Sequence, residues 1–227
     1  MADPSPDPSP ARPLSRKRTQ TRERLLAAAL DVFAERGVNG AAIEGICERA
    51  GLTRGAYYSN YSSRDELLLA LYDQQSSRLL SALADAVAEQ AERAGDLTLE
   101  QLVVAVLRAV PQDRRWFLVN SEFVLHAVRH PAAGAALVAQ RARVLRGVEE
   151  VLRAGMAQLG LESSVELPVV VRWLVALHEG GLNQAYLEPE SFEPESLAIA
   201  AAPVLVTAVS RPAGSSPAPP GRRRRRD

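Results

Sequence analysis

The chain has little of what several other classes of protein require. Its 227 residues include one cysteine, Cys47, so an internal disulfide is impossible. No apolar run approaches the roughly 20 residues of a membrane-spanning helix, and residues 1–13 are rich in Pro, Asp and Ser, unlike a secretory signal. We recognise no Gly-rich phosphate loop, Ser-centred nucleophile turn or paired catalytic carboxylates. We therefore expect a cytoplasmic protein that is not an enzyme and needs no cofactor.

Charge is balanced in total but unevenly distributed. The 27 basic residues equal the 27 acidic ones, yet residues 12–66 hold ten basic against seven acidic side chains. Residues 67–210 hold eleven basic against seventeen acidic side chains, and five further arginines form the run 222–226. A basic end on an acidic body suits a protein of which only one part contacts phosphates.

Residues 43–67 carry the most informative local pattern. A short amphipathic helix is followed by a turn at Gly51, a second short helix opened by Thr53, and a third helix whose start is capped by Ser63 and Glu66. Two short helices joined by a few residues that include Gly are the arrangement that places one helix in a DNA major groove. The stretch therefore predicts a DNA-binding regulator.

Strand patterns are nearly absent, so we expect an all-α fold. Thr21 is predicted to cap the first helix and Gly37 to end it. The apolar faces of the first three helices, which include Phe33, Tyr57 and Tyr61, are predicted to form a small core. Further helices are expected over about 63–94, 98–110, 113–129, 132–158, 166–187 and 194–209.

Residues 21–68 resemble the DNA-binding segment of the TetR family of transcriptional regulators. The matching stretches are Arg22–Leu30, Phe33–Gly37, Ile46–Gly55 and Tyr58–Tyr61. The resemblance implies a homodimer that binds DNA and releases it when a small molecule enters the C-terminal domain. We accordingly expect a helix-turn-helix domain over 15–66 and a helical ligand-binding and dimerisation domain over 67–210. Composition predicts disorder for residues 1–14 and for the Pro- and Arg-rich tail 211–227.

The chain departs from the family pattern at a few positions in this segment. Ala41 and Ala42 replace the hydroxyl pair that usually begins the second helix and touches a phosphate. Glu44 stands where a basic residue is common, and Asn60 stands where His is frequent. These positions bear on which operator is read and how tightly it is bound.

Arg54 is the predicted base reader, because its guanidinium fork matches O6 and N7 of guanine. Gly55 would let the helix approach the groove, and the Thr53 hydroxyl suits a phosphate. Basic residues at the start of the first helix could follow the backbone or reach a minor groove. The full set expected at the DNA is Arg16, Lys17, Arg18, Thr21, Arg22, Thr53, Arg54, Gly55, Ala56, Tyr58, Ser59, Asn60 and Arg64.

Aromatic and polar side chains on the predicted sixth and eighth helices suit a small-molecule pocket, although aromatic residues at helical spacing more often fill a core. The candidate pocket residues are Trp116, Asn120, Phe123, His126, Trp173 and His178. Glu122, His126 and His130 share the spacing of a helix face, but His130 precedes Pro131 at a helix end, so we expect no metal site.

The last two predicted helices are strongly apolar, and a four-helix bundle with the same pair from a second subunit would bury them. The leading hypothesis is a repressor that binds a palindromic operator as a homodimer and is released by a small, largely apolar effector. Two alternatives stay open. An architectural DNA-binding protein driven by the arginine tail would bind any duplex alike, and a helical protein-binding scaffold would select no DNA site.

Overall fold

The computed structural model describes residues 16–92 and 97–214. Within these ranges it is helical except for two short strands, as the sequence predicts. The elements are α1 (Arg16–Arg36), α2 (Ile43–Ala50), α3 (Arg54–Tyr58), α4 (Arg64–Glu92), α5 (Leu99–Arg108), α6 (Arg114–Arg129), α7 (Pro131–Gln158), β1 (Leu161–Ser163), α8 (Leu167–Leu187), α9 (Ser196–Val209) and β2 (Ser210–Pro212). The chain divides into two compact units between Leu71 and Tyr72, a few residues after the boundary expected at 66.

The core of the first unit is built from the residues predicted for it. Phe33 of α1, Ile46 of α2, Tyr57 of α3 and Tyr61 after it are all fully buried. Burial raises the pKa of the Tyr57 hydroxyl to about 12, and that hydroxyl donates to the carbonyl of Ser63 at 3.0 Å. The start of α4 is thereby tied to the end of α3.

The prediction that Thr21 caps α1 is wrong, because the helix already begins at Arg16. The residues before Thr21 are good helix formers, and a threonine inside a helix can bond to a carbonyl one turn earlier. The Thr21 hydroxyl does so, donating to the carbonyl of Lys17 at 2.9 Å. Gly37 follows the end of the helix with φ 74°, as predicted.

The second unit packs its helices around Val119, Phe123, Val170 and Val206, all fully buried. Helix α9 packs against α5 and α8, and α7 packs against α6 and α8. None of the helices in the two described ranges is long and apolar enough to cross a membrane.

The prediction of disorder from residue 211 onward is wrong for the first residues of that tail. Strand β2 pairs antiparallel with β1, with Leu161 opposite Pro212, and the Arg211 side chain is 2.9 Å from a carboxylate oxygen of Glu162. Because the partner strand lies about fifty residues earlier in the sequence, local composition gives no sign of this pairing. The other predicted disordered segments, residues 1–14 and 215–227, lie outside the described residues.

Candidate nucleic-acid interface

The turn between α2 and α3 is fixed by backbone hydrogen bonds at both ends. Gly51 ends α2 in the left-handed conformation with φ 61°, and the Leu52 N–H donates to the carbonyl of Cys47 at 2.9 Å. Thr53 then caps α3, its hydroxyl oxygen accepting from the N–H of Ala56 at 3.1 Å. The cap predicted at Thr53 is confirmed, and the direction in which α3 leaves the turn is set by these contacts.

Two arginines absent from the predicted contact set hold α2 against α1. Arg24 donates to the carbonyl of Ala50 at 2.6 Å, where a cation also complements the negative end of the α2 dipole. Arg49 makes a two-pronged ion pair with Glu35 at 2.9 and 2.7 Å. Basic character alone could not separate these structural arginines from DNA-facing ones, because both kinds occur in the same segment.

Arg54 begins α3 with its side chain in solvent. Its guanidinium lies 2.8 Å from a carboxylate oxygen of Glu44, and the two side chains are 60% and 57% exposed. The guanidinium carbon is also 5.8 Å from the centre of the Tyr58 ring. Such an exposed ion pair contributes little to stability, so Arg54 can exchange Glu44 for another partner at little cost.

Gly55 has space around its Cα that none of the residues in the described ranges fills. A Cβ added there would meet only the Thr53 hydroxyl oxygen, at 3.7 Å, whereas a Cβ at Gly40 would lie 2.4 Å from the carbonyl oxygen of Arg36. Packing within the chain therefore requires glycine at position 40 but not at position 55. Next to Gly55, Ala56 is half-buried while Tyr58 and Ser59 are exposed.

Asn60 does not face outward as a phosphate ligand would. Only 9% of its surface is exposed, and its side-chain amide donates to the carbonyl of Ala56 at 2.8 Å. Its side-chain oxygen accepts from Arg18 at 3.3 Å. The amide lies one turn after Ala56, close enough to reach the carbonyl at the end of the short helix, and this internal role replaces the outward one expected for Asn60.

Arg18 and Arg22 lie beside the C-terminal end of α3. Arg18 approaches the carbonyl of Ser59 at 3.4 Å, and Arg22 donates to the carbonyl of Asn60 at 3.2 Å while its guanidinium carbon sits 4.5 Å above the Tyr61 ring. Both arginines are therefore held near the end of α3 by α1.

The other residues predicted to contact DNA lie on α1 and at the start of α4. Arg16 and Lys17 are exposed in the first turn of α1, and Thr21 is half-buried. Arg64 donates to the carbonyl of Asn39 at 3.3 Å. At the start of α2, Ala42 occupies the cap position without a side-chain hydrogen bond, as expected from the missing hydroxyl.

The second unit contains a cavity of about 430 Å³, and three of the six predicted pocket residues line it: Trp116, Asn120 and His178. The other three do not. Phe123 is fully buried in the core, Trp173 is exposed on α8, and the His126 ring stacks on His130 with centroids 4.2 Å apart. Each lies on a predicted helix but away from the cavity, which periodicity without a partner helix could not distinguish.

Several polar residues that line the cavity were missing from the predicted set, among them four with large side chains. Tyr72 and Gln75 lie on α4, Arg141 on α7 and Glu179 on α8. Arg141 and Glu179 form an ion pair at 3.0 Å. In the sequence these residues look like the solvated face of amphipathic helices. Among the described residues, no group of three or more His, Cys, Asp or Glu side chains could hold a metal ion.

Known proteins resemble the chain in both sequence and fold. Residues 25–71 match the sequence profile of the bacterial regulatory proteins of the tetR family. The HTH-type transcriptional regulator SrpR of Pseudomonas putida is 30% identical over 162 residues, which cover 69% of this chain and 71% of SrpR.

Solved structures extend the likeness beyond the first unit. A transcriptional regulator from Rhodococcus sp. Rha1 is 26% identical with a TM-score of 0.63, over 83% of this chain and 95% of that one. GusR of Salmonella enterica has a TM-score of 0.62 at 20% identity, over 82% and 95% of the two chains. The chain belongs to the TetR family of bacterial regulatory proteins, which are helix-turn-helix transcriptional regulators.

Proposed function

We propose that this protein is a cytoplasmic repressor that binds a palindromic operator as a homodimer and is released by a small, largely apolar effector. The observation that carries the proposal is the exposed Arg54 at the start of α3, next to the unfilled space at Gly55. A side chain that projects from a fixed helix start can enter a groove, and a neighbour without a Cβ lets the backbone follow it.

Sequence reading falls to Arg54 in this proposal. Its guanidinium leaves the exposed pair with Glu44 and donates to O6 and N7 of a guanine, a contact typically worth about 1–3 kcal/mol of discrimination. Phosphate contacts supply affinity and register without reading sequence. The side chains proposed for them are Arg16, Lys17, Arg18, Thr21, Arg22, Thr53, Tyr58, Ser59 and Arg64.

Dimerisation through α8 and α9 is supported by apolar residues that the single chain leaves in solvent. Val169 and Trp173 on α8 and Val204 on α9 are all exposed. A Cβ added at Gly180 of α8 would meet nothing within 4 Å, so another helix could approach this backbone closely. A four-helix bundle with the same two helices of a second copy would cover this face.

The dimer interface can be tested with a pair of valines of nearly equal exposure. Val204 on α9 is 70% exposed and Val138 on α7 is 67% exposed. A buried unpaired charge is costly in an interface and cheap on a solvated surface, so Val204→Glu is expected to shift the protein from dimer to monomer while Val138→Glu leaves it dimeric. Sedimentation velocity of the purified chains measures this directly. A dimeric Val204→Glu would place the interface elsewhere.

The operator proposal is tested by selecting binding sites from random duplexes with purified protein at near-physiological salt. The proposal expects an enriched palindrome whose half-sites are separated by roughly one helical turn, about 34 Å, or somewhat more. Binding without enrichment would instead favour the architectural alternative suggested by the arginines at 222–226. No binding at all would favour the protein-binding scaffold.

A further inference from the structure

The cavity in the second unit has walls suited to a flat apolar molecule. Trp116 and Phe117 of α6 line it together with aliphatic side chains such as Leu79, Val144 and Leu182. The Trp116 ring is held by an edge-on contact with Tyr72, with centroids 5.6 Å apart. Its volume of about 430 Å³ falls within the range of sites that take a single small molecule.

Two residues that line this cavity carry polar groups without a hydrogen-bond partner in the described part of the chain, one a donor and the other an acceptor. The side-chain nitrogen of Gln75 and the side-chain oxygen of Asn120 are both buried, and neither has a hydrogen-bond partner among the described residues. A buried polar group without a hydrogen-bond partner destabilises the folded protein. One is a donor and the other an acceptor, so a ligand that offers an acceptor to Gln75 and a donor to Asn120 would satisfy both groups.

The charges in the cavity already balance. Four ionisable side chains line it: Tyr72, Arg141, His178 and Glu179. Arg141 and Glu179 pair with each other at 3.0 Å, while burial lowers the pKa of His178 and raises that of Tyr72, so both are held in their neutral forms. An anionic ligand would meet the Glu179 carboxylate and a cationic one would meet Arg141, and either would lose its hydration without an unpaired counter-charge.

We infer that the cavity binds an uncharged aromatic molecule that carries both a hydrogen-bond donor and an acceptor, such as a carboxamide, with Gln75 and Asn120 as its polar partners. This inference rests on the proposed function only in naming that molecule as the effector. Binding itself needs no DNA.

Four naphthalene probes of similar shape separate the possible ligand classes. Calorimetric titration of the full chain without DNA compares 2-naphthamide, 2-naphthoate, 2-naphthylmethylammonium and naphthalene. We expect 2-naphthamide to bind at least about tenfold more tightly than each of the others, a difference of about 1.4 kcal/mol. Tighter or equal binding of the anion or the cation would overturn the inference, as would the failure of all four probes to bind at the highest soluble concentration.

Leucine substitutions test the two polar partners without changing side-chain size greatly. Gln75→Leu and Asn120→Leu are each expected to reduce the preference for 2-naphthamide over naphthalene by about tenfold, while naphthalene binding is kept. Gln158→Leu, at an exposed position at the end of α7, is the matched control and should leave the preference unchanged. Unaltered preference in both cavity variants would contradict the assignment.

These results are independent of the operator test. A chain that selects a palindrome but prefers 2-naphthoate would keep the proposed function and lose the ligand class. A chain that binds 2-naphthamide with the expected preference but selects no duplex would keep the ligand site and lose the repressor.

Discussion

The two units of this protein use their interiors in opposite ways. In the first unit, Phe33 and Tyr57 are fully buried in the core, and the side chains proposed to contact DNA lie mostly outside it. In the second unit, a cavity of about 430 Å³ remains between the helices, and buried polar groups of Gln75 and Asn120 lack partners among the residues described. A DNA-binding helix needs a packed core that fixes the position of its backbone, whereas a ligand site needs space that the protein leaves unfilled.

Three arginines of the first unit also fall into two groups, two that hold its helices together and one that lies in solvent. Arg24 and Arg49 are bonded to groups of the first unit and fix the angle between its helices. Arg54 is held by weaker, exposed contacts, an ion pair with Glu44 and the approach of its guanidinium to the Tyr58 ring. The first unit thus separates arginines that hold its helices together from the one proposed to read bases.

The largest expected effect on function follows removal of the Arg54 side chain. Arg54→Ala should weaken binding to the selected duplex by about 5–150-fold for each half-site, in keeping with the loss of about 1–3 kcal/mol for each two-pronged guanine contact. Binding to unrelated duplexes should fall by less, because only the charge of Arg54 is lost there. Fluorescence anisotropy with both duplexes measures the two affinities, and Arg153→Ala removes an exposed arginine from the second unit as a control for charge.

Two glycines allow folding and binding to be separated within the first unit. Gly40→Ala forces a Cβ to within 2.4 Å of a backbone oxygen and should lower the free energy of unfolding by about 1–3 kcal/mol. Gly55→Ala adds a Cβ into open space, so stability should stay the same or rise by up to about 1 kcal/mol. Its operator affinity should nevertheless fall by about tenfold. Urea denaturation and anisotropy test the pair, and equal operator affinity for Gly55→Ala and the unaltered chain would contradict the close approach.

Substitution of Glu44, on the same surface, is expected to have a smaller effect on DNA binding. Glu44→Gln removes a negative charge that competes with DNA for Arg54, so affinity for unrelated duplexes should rise by a few-fold, on the order of 0.5–1 kcal/mol. The ratio of selected to unrelated binding should fall. Affinities at two salt concentrations distinguish this outcome from a general loss of contact, because the electrostatic gain shrinks as salt rises. Lower affinity for every duplex would instead make Glu44 a necessary part of the site.

The smallest expected effect concerns pH and the second unit. Burial lowers the pKa of His178 below its ordinary value of 6.5, with Glu179 opposing. The unfolded chain therefore binds a proton at this residue at higher pH than the folded chain, and stability should fall as pH drops from 7 toward 5. His178→Leu should flatten this dependence, whereas His130→Leu, at an exposed position, should not. Urea denaturation at each pH measures it, and an unchanged slope in His178→Leu would contradict the assignment.

The sequence predicted most of the helices because their apolar residues repeat over long stretches. Helix α4 was expected over about 63–94 and spans Arg64–Glu92, and α7 was expected over about 132–158 and spans Pro131–Gln158. Local turn chemistry was equally readable at Thr53, whose cap depends on residues only three apart.

Predictions failed where the partner is distant in sequence or where a side chain has two plausible uses. Arg211 pairs with Glu162 across two strands, and the composition of the sequence predicts neither strand. Asn60 could donate to a phosphate or to a nearby carbonyl, and it uses the carbonyl. The cavity residue Gln75 was missed because an amide on an amphipathic helix looks solvated until the facing helices are known.

The central claim is that α3 reads sequence through Arg54, and site selection run in parallel on two chains tests it most directly. The unaltered protein and Arg54→Ala are each offered the same random duplexes at the same salt. The account predicts a palindrome for the unaltered protein and, for Arg54→Ala, the loss of preference at one G·C pair in each half-site with the remaining positions kept. The same palindrome from both chains, with that pair still enriched, would contradict it.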